Sequence, residues 1–214
     1  MKLNEAKRRL DSIVNVPFVE WMSPKQLEGI IRNKGKTGQL LEIALGLKNT
    51  PNKLDFEDGE LKTNKCDKYG NPLETMFITQ ILSTVDYLLY RKDFYGSRLY
   101  KKIDNLLYVP ICKEGYPEEW FFLPYEHVNL NKNKYYDLKM QLEDDYYYIC
   151  DQLIEQIEYG EDGNIHTSNG EFIQIRSKDP KPYSPIYSKK YGKYVSNKNH
   201  AFYFKKKFMR YITS

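Results

Sequence analysis

Apolar residues recur along the chain with two different periods, and these periods predict a mixture of helices and strands. The clearest helical stripe runs through residues 135–158 and consists of Leu138, Leu142, Ile149, Leu153 and Ile157. A shorter helix is predicted at residues 4–13. Compact apolar runs at residues 106–111 and 120–123 are typical of buried strands. The pattern as a whole predicts an α/β fold.

Helix boundaries can be predicted at two further places. Ser23 is a capping residue, Pro24 follows at the first helical position, and Gln26 completes a capping box. Another helix is predicted to begin near Thr37 and to end near Gly46. Both helices would therefore precede the first predicted strand.

The strands that follow are predicted from β-branched and aromatic runs. Residues 59–65 and 73–81 are separated by a turn at residues 68–72, and this pattern is typical of a hairpin. In the last third, residues 171–177 and 201–208 are predicted to be strands. The polar stretch between them is rich in Tyr, Lys and Pro and has little periodicity, so no element is predicted there.

Acidic residues and a lysine are concentrated at residues 54–63, which read LDFEDGELKT. In a strand, alternation would place Glu60 and Lys62 on one face and Leu61 on the other, and Asp55 could turn back toward that face. Two carboxylates can bind a hard cation such as Mg²⁺, while an ammonium group orients a water or offsets phosphate charge. The stretch therefore indicates a metal-dependent phosphodiesterase, although Glu-x-Lys is also common by chance on a solvated edge strand.

A further carboxylate lies in the predicted helix between Thr37 and Gly46. The predicted buried stripe of that helix consists of Leu40, Leu41, Ala44 and Leu45, and Glu42 lies among these apolar residues. A lone buried carboxylate costs free energy unless it is paired or faces a site. Glu42 is therefore a candidate for the same site as Asp55 and Glu60.

Six blocks of sequence, in order from about residue 30 to the C-terminus, resemble one known family. They read RNKGKTGQLLEIALG, LDFEDGELKT, GNPLETMFI, SRLYKKIDNLLYVPI, GEFIQIRSK and AFYFKKKF. The chain is similar to the MutH family, which comprises a DNA mismatch-repair endonuclease and related GATC-cutting type II restriction endonucleases. Six ordered blocks are more specific than any single motif.

The resemblance implies a restriction-endonuclease-like PD-(D/E)xK core, in which a mixed β-sheet is flanked by helices. It also implies a two-lobed clamp whose cleft receives duplex DNA. We expect one domain over residues 1–214, with a catalytic lobe at about 20–125 and a DNA-recognition lobe at about 126–214.

The resemblance also implies the roles of five catalytic residues. The two metal-binding acids would be Asp55 and Glu60, with Glu42 as a third, helix-borne acid at the metal. The two catalytic lysines would be Lys62 and Lys102. The expected cofactor is Mg²⁺, for which Mn²⁺ substitutes. Without the family resemblance, Lys102 would be interpreted as a solvated lysine in a Lys-Lys pair.

The spacing of the acids departs from the family pattern. Only four residues separate Asp55 from Glu60, two fewer than in the relatives. A shortened hairpin can still place Asp55 beside Glu60, but Glu57 or Asp58 could supply the metal-binding acid instead.

Residues that contact DNA are also implied by the resemblance. Arg176 and Lys178 match the base-reading loop, and an arginine can read guanine O6 and N7 with two hydrogen bonds. Ser177 stands where relatives have proline, which leaves the shape of that loop open. Tyr203 matches a tyrosine that senses adenine methylation, although it would otherwise read as an ordinary strand aromatic.

Five other positions complete the expected DNA contacts. Lys34 and Gly35 match a DNA-contacting loop, and Phe77 matches an aromatic residue near the DNA. Lys205 and Lys206 are candidates for phosphate contacts, with a solvated charged face as the alternative.

Composition agrees with this interpretation without requiring it. The chain has 214 residues and a net charge of +4, which suits a polyanionic partner. The three cysteines have no Cys-x-x-Cys spacing and the three histidines are far apart, so disulfides, a zinc ribbon and a histidine-based nuclease motif are not expected. There is no apolar run long enough to span a bilayer and no signal-peptide pattern, so a cytoplasmic protein is expected.

The resemblance therefore implies a hydrolase, a Mg²⁺-dependent endodeoxyribonuclease that cuts double-stranded DNA at GATC or a closely related site. We favour a type II restriction enzyme, acting as a monomer or as a transient dimer on DNA, because the heavy use of Lys, Asn, Tyr and Ile suggests an AT-rich gene. The alternative is a mismatch-repair endonuclease that nicks hemimethylated GATC with MutL as its partner. Further alternatives are a non-catalytic DNA-binding module and a purely structural or interaction domain.

Overall fold

The structure is a computed structural model that describes residues 1–32, 37–47 and 54–214. It contains both helices and mixed sheets, which confirms the predicted α/β class at this level. Among the described residues, no helix is both long enough and apolar enough to cross a membrane.

The helices, in chain order, are α1 (Leu3–Leu10), α2 (Phe18–Trp21), α3 (Pro24–Arg32), α4 (Thr37–Ala44), α5 (Val85–Leu89), α6 (Arg98–Ile103), α7 (Tyr136–Tyr159) and α8 (Lys206–Ile212). The strands are β1 (Glu60–Lys62), β2 (Lys65–Cys66), β3 (Met76–Gln80), β4 (Asn105–Tyr108), β5 (Ile111–Cys112), β6 (Phe121–Phe122), β7 (Glu126–Asn129), β8 (Ser168–Asn169), β9 (Ile173–Ser177), β10 (Ile186–Ser188), β11 (Lys193–Ser196) and β12 (His200–Phe204).

The chain folds into two compact units, each built from more than one segment. The first unit contains Met1–Glu74, Asn105–Asn129 and Ile212–Ser214. The second contains Thr75–Asp104 and Leu130–Tyr211. The units differ from the expected lobes because residues 1–19 join the first unit and residues 75–104 join the second.

The first unit holds two small sheets and a shared apolar core. In one sheet β1 lies parallel to β4, and β4 lies antiparallel to β7; in the other, β2 lies parallel to β5, and β5 antiparallel to β6. The core includes Leu3 of α1, Leu41 of α4 and Leu61 of β1. These contacts fix the helix that carries Glu42 and the strand that carries Glu60 on the same core.

The second unit is built on an antiparallel sheet in the order β3-β12-β9-β8, with α7 packed against β8 and β9. Every residue of the predicted apolar stripe on α7 is buried, so that prediction is confirmed. Asp145, also on α7, accepts backbone hydrogen bonds from Glu171, Phe172 and Ile173 at 2.7, 2.6 and 3.0 Å. The carboxylate thereby fixes the start of β9, which carries Arg176.

Several predicted elements are found at or near their expected bounds. The N-terminal helix, the turn before residue 72 and the helix ending by Gly46 are all present; Gly46 has a positive φ of 71°, which favours glycine. The three cysteines, Cys66, Cys112 and Cys150, are buried as free thiols.

The predicted hairpin between residues 59–65 and 73–81 is wrong. The turn itself forms, since Cys66 and Pro72 make an isolated antiparallel bridge. However, β1 pairs in parallel with β4, and β3 pairs with β12 in the second unit. Turn chemistry specifies the turn alone, whereas strand partners are chosen by contacts distant in sequence.

Other differences lie near the C-terminal third. The predicted strand at residues 201–208 ends at Phe204, and helix α8 occupies the positions from Lys206 onward. The stretch between β9 and β12, for which no element was predicted, contains the hairpin β10–β11. Helices α5 and α6 and strand β7 were also not predicted, because each is too short to show a clear period.

The capping box at α3 supports a stability prediction. The Ser23 backbone N–H donates to Gln26 Oε1 at 2.8 Å, and the Gln26 N–H donates to Ser23 Oγ at 3.4 Å. We expect Ser23→Ala to reduce the free energy of unfolding by about 1 kcal/mol, because a backbone donor loses its acceptor. For a chain of this size, the melting temperature should fall by about 2–4 °C. Ser23→Thr keeps the hydroxyl and should melt close to the parent; an equal fall in both variants would contradict the role of the cap.

Candidate active site

Strand β1 places two charged side chains on one face and an apolar side chain on the other. Leu61 lies in the core, whereas Lys62 Nζ donates to Glu60 Oε1 at 2.6 Å. This confirms the predicted alternation. The Glu60 side chain is only 3% exposed. A carboxylate so far from water requires such a partner, because an isolated buried charge is costly.

Asp55 lies beside this strand despite the shortened spacing. Its Oδ2 accepts a hydrogen bond from the Leu61 backbone N–H at 2.9 Å. Among the described residues, β1 has a strand partner on one side only, so the backbone groups on its other side can bind a side chain. The loop therefore brings Asp55 back to β1 next to Glu60.

The two alternative acids bind elsewhere. Asp58 Oδ1 accepts from the Leu3 backbone N–H at 2.8 Å, and Glu57 Oε1 accepts from the Met1 amino group at 2.8 Å. Both carboxylates therefore bind the beginning of the chain, while Asp55 binds β1. This arrangement favours Asp55 as the acid of the site.

Glu42 on α4 is electrostatically coupled to the same group. Burial is the main cause that raises the pKa of the Glu42 carboxyl, and the negative charges of Asp55 and Glu60 raise it further. The nearby Lys62 ammonium group opposes the rise. Glu42 therefore lies within electrostatic range of Asp55, Glu60 and Lys62 in the first unit.

The chemistry of this group fits a hard divalent cation. Carboxylate oxygens are the ligands that Mg²⁺ prefers, and a bound cation would favour the charged form of Glu42, whose pKa is raised first by burial and then by the charges of Asp55 and Glu60. The oxygens do not form a finished ligand sphere: within the described residues, no group of three or more His, Cys, Asp or Glu side chains is arranged to hold a metal ion. The Lys62 ammonium group instead neutralises Glu60.

The remaining catalytic residue of the sequence prediction lies in the other unit. Lys102 is on α6 and is partly exposed, and two residues separate it from the first residue of β4. Of the expected DNA contacts, Lys34 and Gly35 lie outside the described residues. Neither the role of Lys102 nor that of the loop is therefore tested by the geometry of the first unit.

A second cluster of predicted residues lies on one face of the sheet in the second unit. Tyr203 of β12 is opposite Phe77 of β3, and their rings meet edge to face at 5.7 Å. The Arg176 guanidinium group lies 4.4 Å from the centre of the Tyr203 ring, and Lys178 Nζ lies 3.2 Å from that of Phe77. The structure thus brings together the four residues Phe77, Arg176, Lys178 and Tyr203, which we call the aromatic–basic face.

The aromatic–basic face combines a buried tyrosine ring and a half-buried phenylalanine ring with an accessible cation. Tyr203 is 7% exposed, and burial raises the pKa of its hydroxyl group while Arg176 opposes the rise. Arg176 itself is exposed. The N–H donors of a guanidinium group point outward in its own plane. A guanidinium group that lies over an aromatic ring can therefore still bind a ligand, and this applies to Arg176.

The two C-terminal lysines differ from one another. Lys205 Nζ donates to the Gly170 carbonyl oxygen at 2.8 Å, a contact within the second unit. Lys206 is exposed at the start of α8. Lys206 is therefore the better placed of the two for a phosphate contact.

Sequence analysis missed a polar network in the first unit. Lys7 Nζ lies 2.6 Å from His127 Nδ1, and His127 Nε2 lies 2.7 Å from Asn105 Oδ1. These residues are widely separated in sequence and form no motif. Only the pairing of β4 with β7, which was not predicted, brings His127 close to Asn105.

No protein-family model matches the chain. The chain is similar to several proteins named DNA mismatch repair protein MutH. It is 27% identical over 150 residues to the one from Actinobacillus pleuropneumoniae serotype 5b, covering 69% of this chain and 62% of that protein. It is 26% identical over 193 residues to the Shewanella oneidensis protein, covering 82% and 78%. For Citrobacter koseri the identity is 28% over 170 residues, covering 73% and 64%.

These similarities confirm the resemblance to MutH that the sequence motifs indicate. In the Actinobacillus comparisons, the chain spans about 62% of the length of the curated relatives.

Proposed function

We propose that this chain is a metal-dependent DNA endonuclease related to MutH. The observation that carries the proposal is the cluster of Glu42, Asp55, Glu60 and Lys62 in one unit of a chain similar to MutH proteins. A purely structural domain is not expected to place three carboxylates near one another and near a lysine, since burial and the repulsion between the acids both raise the pKa of Glu42.

Each residue of the cluster has a chemical role in this proposal. Glu42, Asp55 and Glu60 would hold Mg²⁺, or Mn²⁺ in its place, and the bound cation would supply Lewis-acid chemistry and an activated water. Lys62 would then release Glu60 and place its ammonium group beside the phosphate, where it offsets developing negative charge. Lys102 is proposed as the second catalytic lysine by its match to the family motif.

The remaining features of the proposal concern the fold and the DNA. We include in it the PD-(D/E)xK core, the two-lobed clamp and a single functional domain over the whole chain. The aromatic–basic face would contact the bases, with Arg176 reading guanine. A site of GATC or a closely related sequence follows from the motif match alone.

Two biological roles are compatible with this chemistry. Restriction is favoured by the composition of the chain, which suggests an AT-rich gene. Mismatch repair is favoured by the names of the relatives, all of which are mismatch repair proteins. We retain restriction as the first proposal and repair, with MutL as activator, as the second.

A plasmid time course separates the roles. For a restriction enzyme, we expect the purified chain with Mg²⁺ alone to linearise unmethylated plasmid, and we expect adenine methylation to block cleavage. For a repair enzyme, slow nicking without linear product is expected until MutL and ATP are added, because the active state would need a partner to become populated. The measurement follows supercoiled, nicked and linear DNA at several protein concentrations.

The same assay tests the activity itself. Absence of any cleavage with Mg²⁺ or Mn²⁺, with and without MutL and ATP, on every methylation state would contradict the endonuclease and would favour a DNA-binding module. An enzyme that acts as a transient dimer should linearise plasmid more steeply as its concentration rises.

A further inference from the structure

Helix α1 contacts both segments that carry the candidate carboxylates. Its Leu3 N–H binds the carboxylate of Asp58, in the loop that also holds Asp55. Farther along the helix, Arg9 Nη1 donates to the Leu45 carbonyl oxygen at 2.6 Å. Leu45 follows the last turn of α4, which carries Glu42.

A hydrogen-bonded chain provides a second contact between α1 and the Asp55 loop. The Lys7 ammonium group can only donate, so His127 Nδ1 accepts and His127 Nε2–H donates to Asn105 Oδ1. Asn105 Nδ2 in turn donates to the backbone carbonyl oxygen of Asp58. Asp58 is therefore held both through its carboxylate and through its main chain.

The apolar contacts leave little space for these segments to shift. Leu3 and Leu10 of α1 share one core with Leu45 and with Phe56, the neighbour of Asp55. At Gly59, next to Asp58, an added Cβ would lie 3.0 Å from Leu3 Cδ1 and would collide with the Asn105 carbonyl oxygen. The loop is thus packed tightly between α1 and β4.

We propose that α1 positions the candidate metal centre, fixing the Asp55 loop through Asp58 and the Glu42 helix through Arg9. The inference rests on the proposed function for the presence of a metal, but the coupling of α1 to the two segments does not. Asp58 and Arg9 are positioning residues because they act through the segments they bind. Loss of either should weaken metal binding without changing the affinity for DNA.

The Leu61 amide proton offers a test that needs neither metal nor activity. It donates to Asp55 Oδ2, so its exchange with solvent reports whether Asp55 is held against β1. In Asp58→Ala we expect Leu61 to exchange about tenfold faster. In Asp58→Asn exchange should stay near the parent rate, because an amide oxygen can still accept from Leu3. Arg9→Ala should leave Leu61 unchanged, since Arg9 binds the other segment.

Direct binding of Mn²⁺, measured by calorimetry, gives the second readout. Asp58→Ala and Arg9→Ala should each weaken the affinity about tenfold, as is usual for groups that orient metal ligands. Arg8→Ala is the matched control, because Arg8 is exposed on the same helix. DNA binding in EDTA should be the same for all four variants and the parent.

The outcomes distinguish this inference from the proposed function. If the parent binds no Mn²⁺ and cuts no DNA, the proposed function fails, and Leu61 exchange alone then decides whether α1 positions the loop. If Asp58→Ala leaves Leu61 exchange unchanged, or if amides throughout the first unit exchange faster to the same degree, α1 has no specific positioning role. Equal losses of Mn²⁺ affinity in Arg8→Ala and Arg9→Ala would also contradict the positioning role of α1.

Discussion

Replacing Glu60 or Lys62 by alanine should reduce DNA cleavage by about a hundredfold or more while leaving DNA binding nearly unchanged. Each side chain is proposed to act on the metal or on the charge that develops at the phosphate, and loss of one such stabilising group typically has an effect of this size. Neither residue lies on the aromatic–basic face, so sequence recognition should persist. The measurements are single-turnover cleavage with Mg²⁺ and DNA binding in EDTA.

The controls must separate chemistry from folding. Lys65→Ala and Glu20→Ala remove exposed charges from the same unit and should cut normally. The Glu60 side chain is only 3% exposed, and Glu60→Gln keeps its shape. This variant should therefore fold normally but be inactive. Normal cleavage by Glu60→Gln would exclude Glu60 as a metal-binding acid.

The choice between the two aspartates is tested in the same series. Asp55→Asn should lose cleavage, whereas Asp58→Asn should retain it because its contact with Leu3 needs only an acceptor oxygen. The reverse result would assign the acid to Asp58 and would show that the shortened loop is arranged differently when metal is bound.

Replacing Arg176 by alanine should remove most of the discrimination at one base pair. One bidentate contact between arginine and guanine contributes about 1–3 kcal/mol of discrimination, which corresponds to roughly a 5–150-fold change. Arg176→Lys keeps the charge but lacks the planar guanidinium group that can donate two parallel hydrogen bonds, so this variant should also lose selectivity. The measurement is the cleavage rate for the preferred site against sites with single substitutions.

A phosphate contact behaves differently and supplies the control for Arg176. Lys206→Ala should weaken binding to all sequences alike and should reduce the slope of affinity against salt concentration. If Arg176→Ala showed this uniform behaviour while site preference stayed intact, the aromatic–basic face would bind the backbone and the reading of bases would lie elsewhere.

Local signals in the sequence were enough to locate elements but not to pair them. The capping box at Ser23 and the stripe on α7 depend on residues within one or two helical turns, and both are found as predicted. The hairpin failed because β1 takes β4 as its partner across more than forty residues of sequence. Short elements such as β7 and β10 carry too few residues for a period to be visible.

The same distinction applies to the candidate site. Glu60 and Lys62 could be placed together because alternation in a strand is local. Asp55 and Glu42 were candidates from their charge and their neighbours, and the family resemblance then implied their roles. The contacts of Asp58 with Leu3 and of Arg9 with Leu45 depend on the packing of α1, which no local pattern specifies. Residues that hold a site are therefore harder to predict than residues that form it.

The interleaving of the two units limits how such a protein can exchange parts during evolution. The chain passes between units after residues 74, 104, 129 and 211, so neither unit is encoded by one continuous stretch of the gene. A single crossover with a relative would therefore leave at least one unit assembled from both parents. If the aromatic–basic face reads bases as proposed, new sequence specificity should arise by point substitutions on β3, β9 and β12 rather than by exchange of a whole unit.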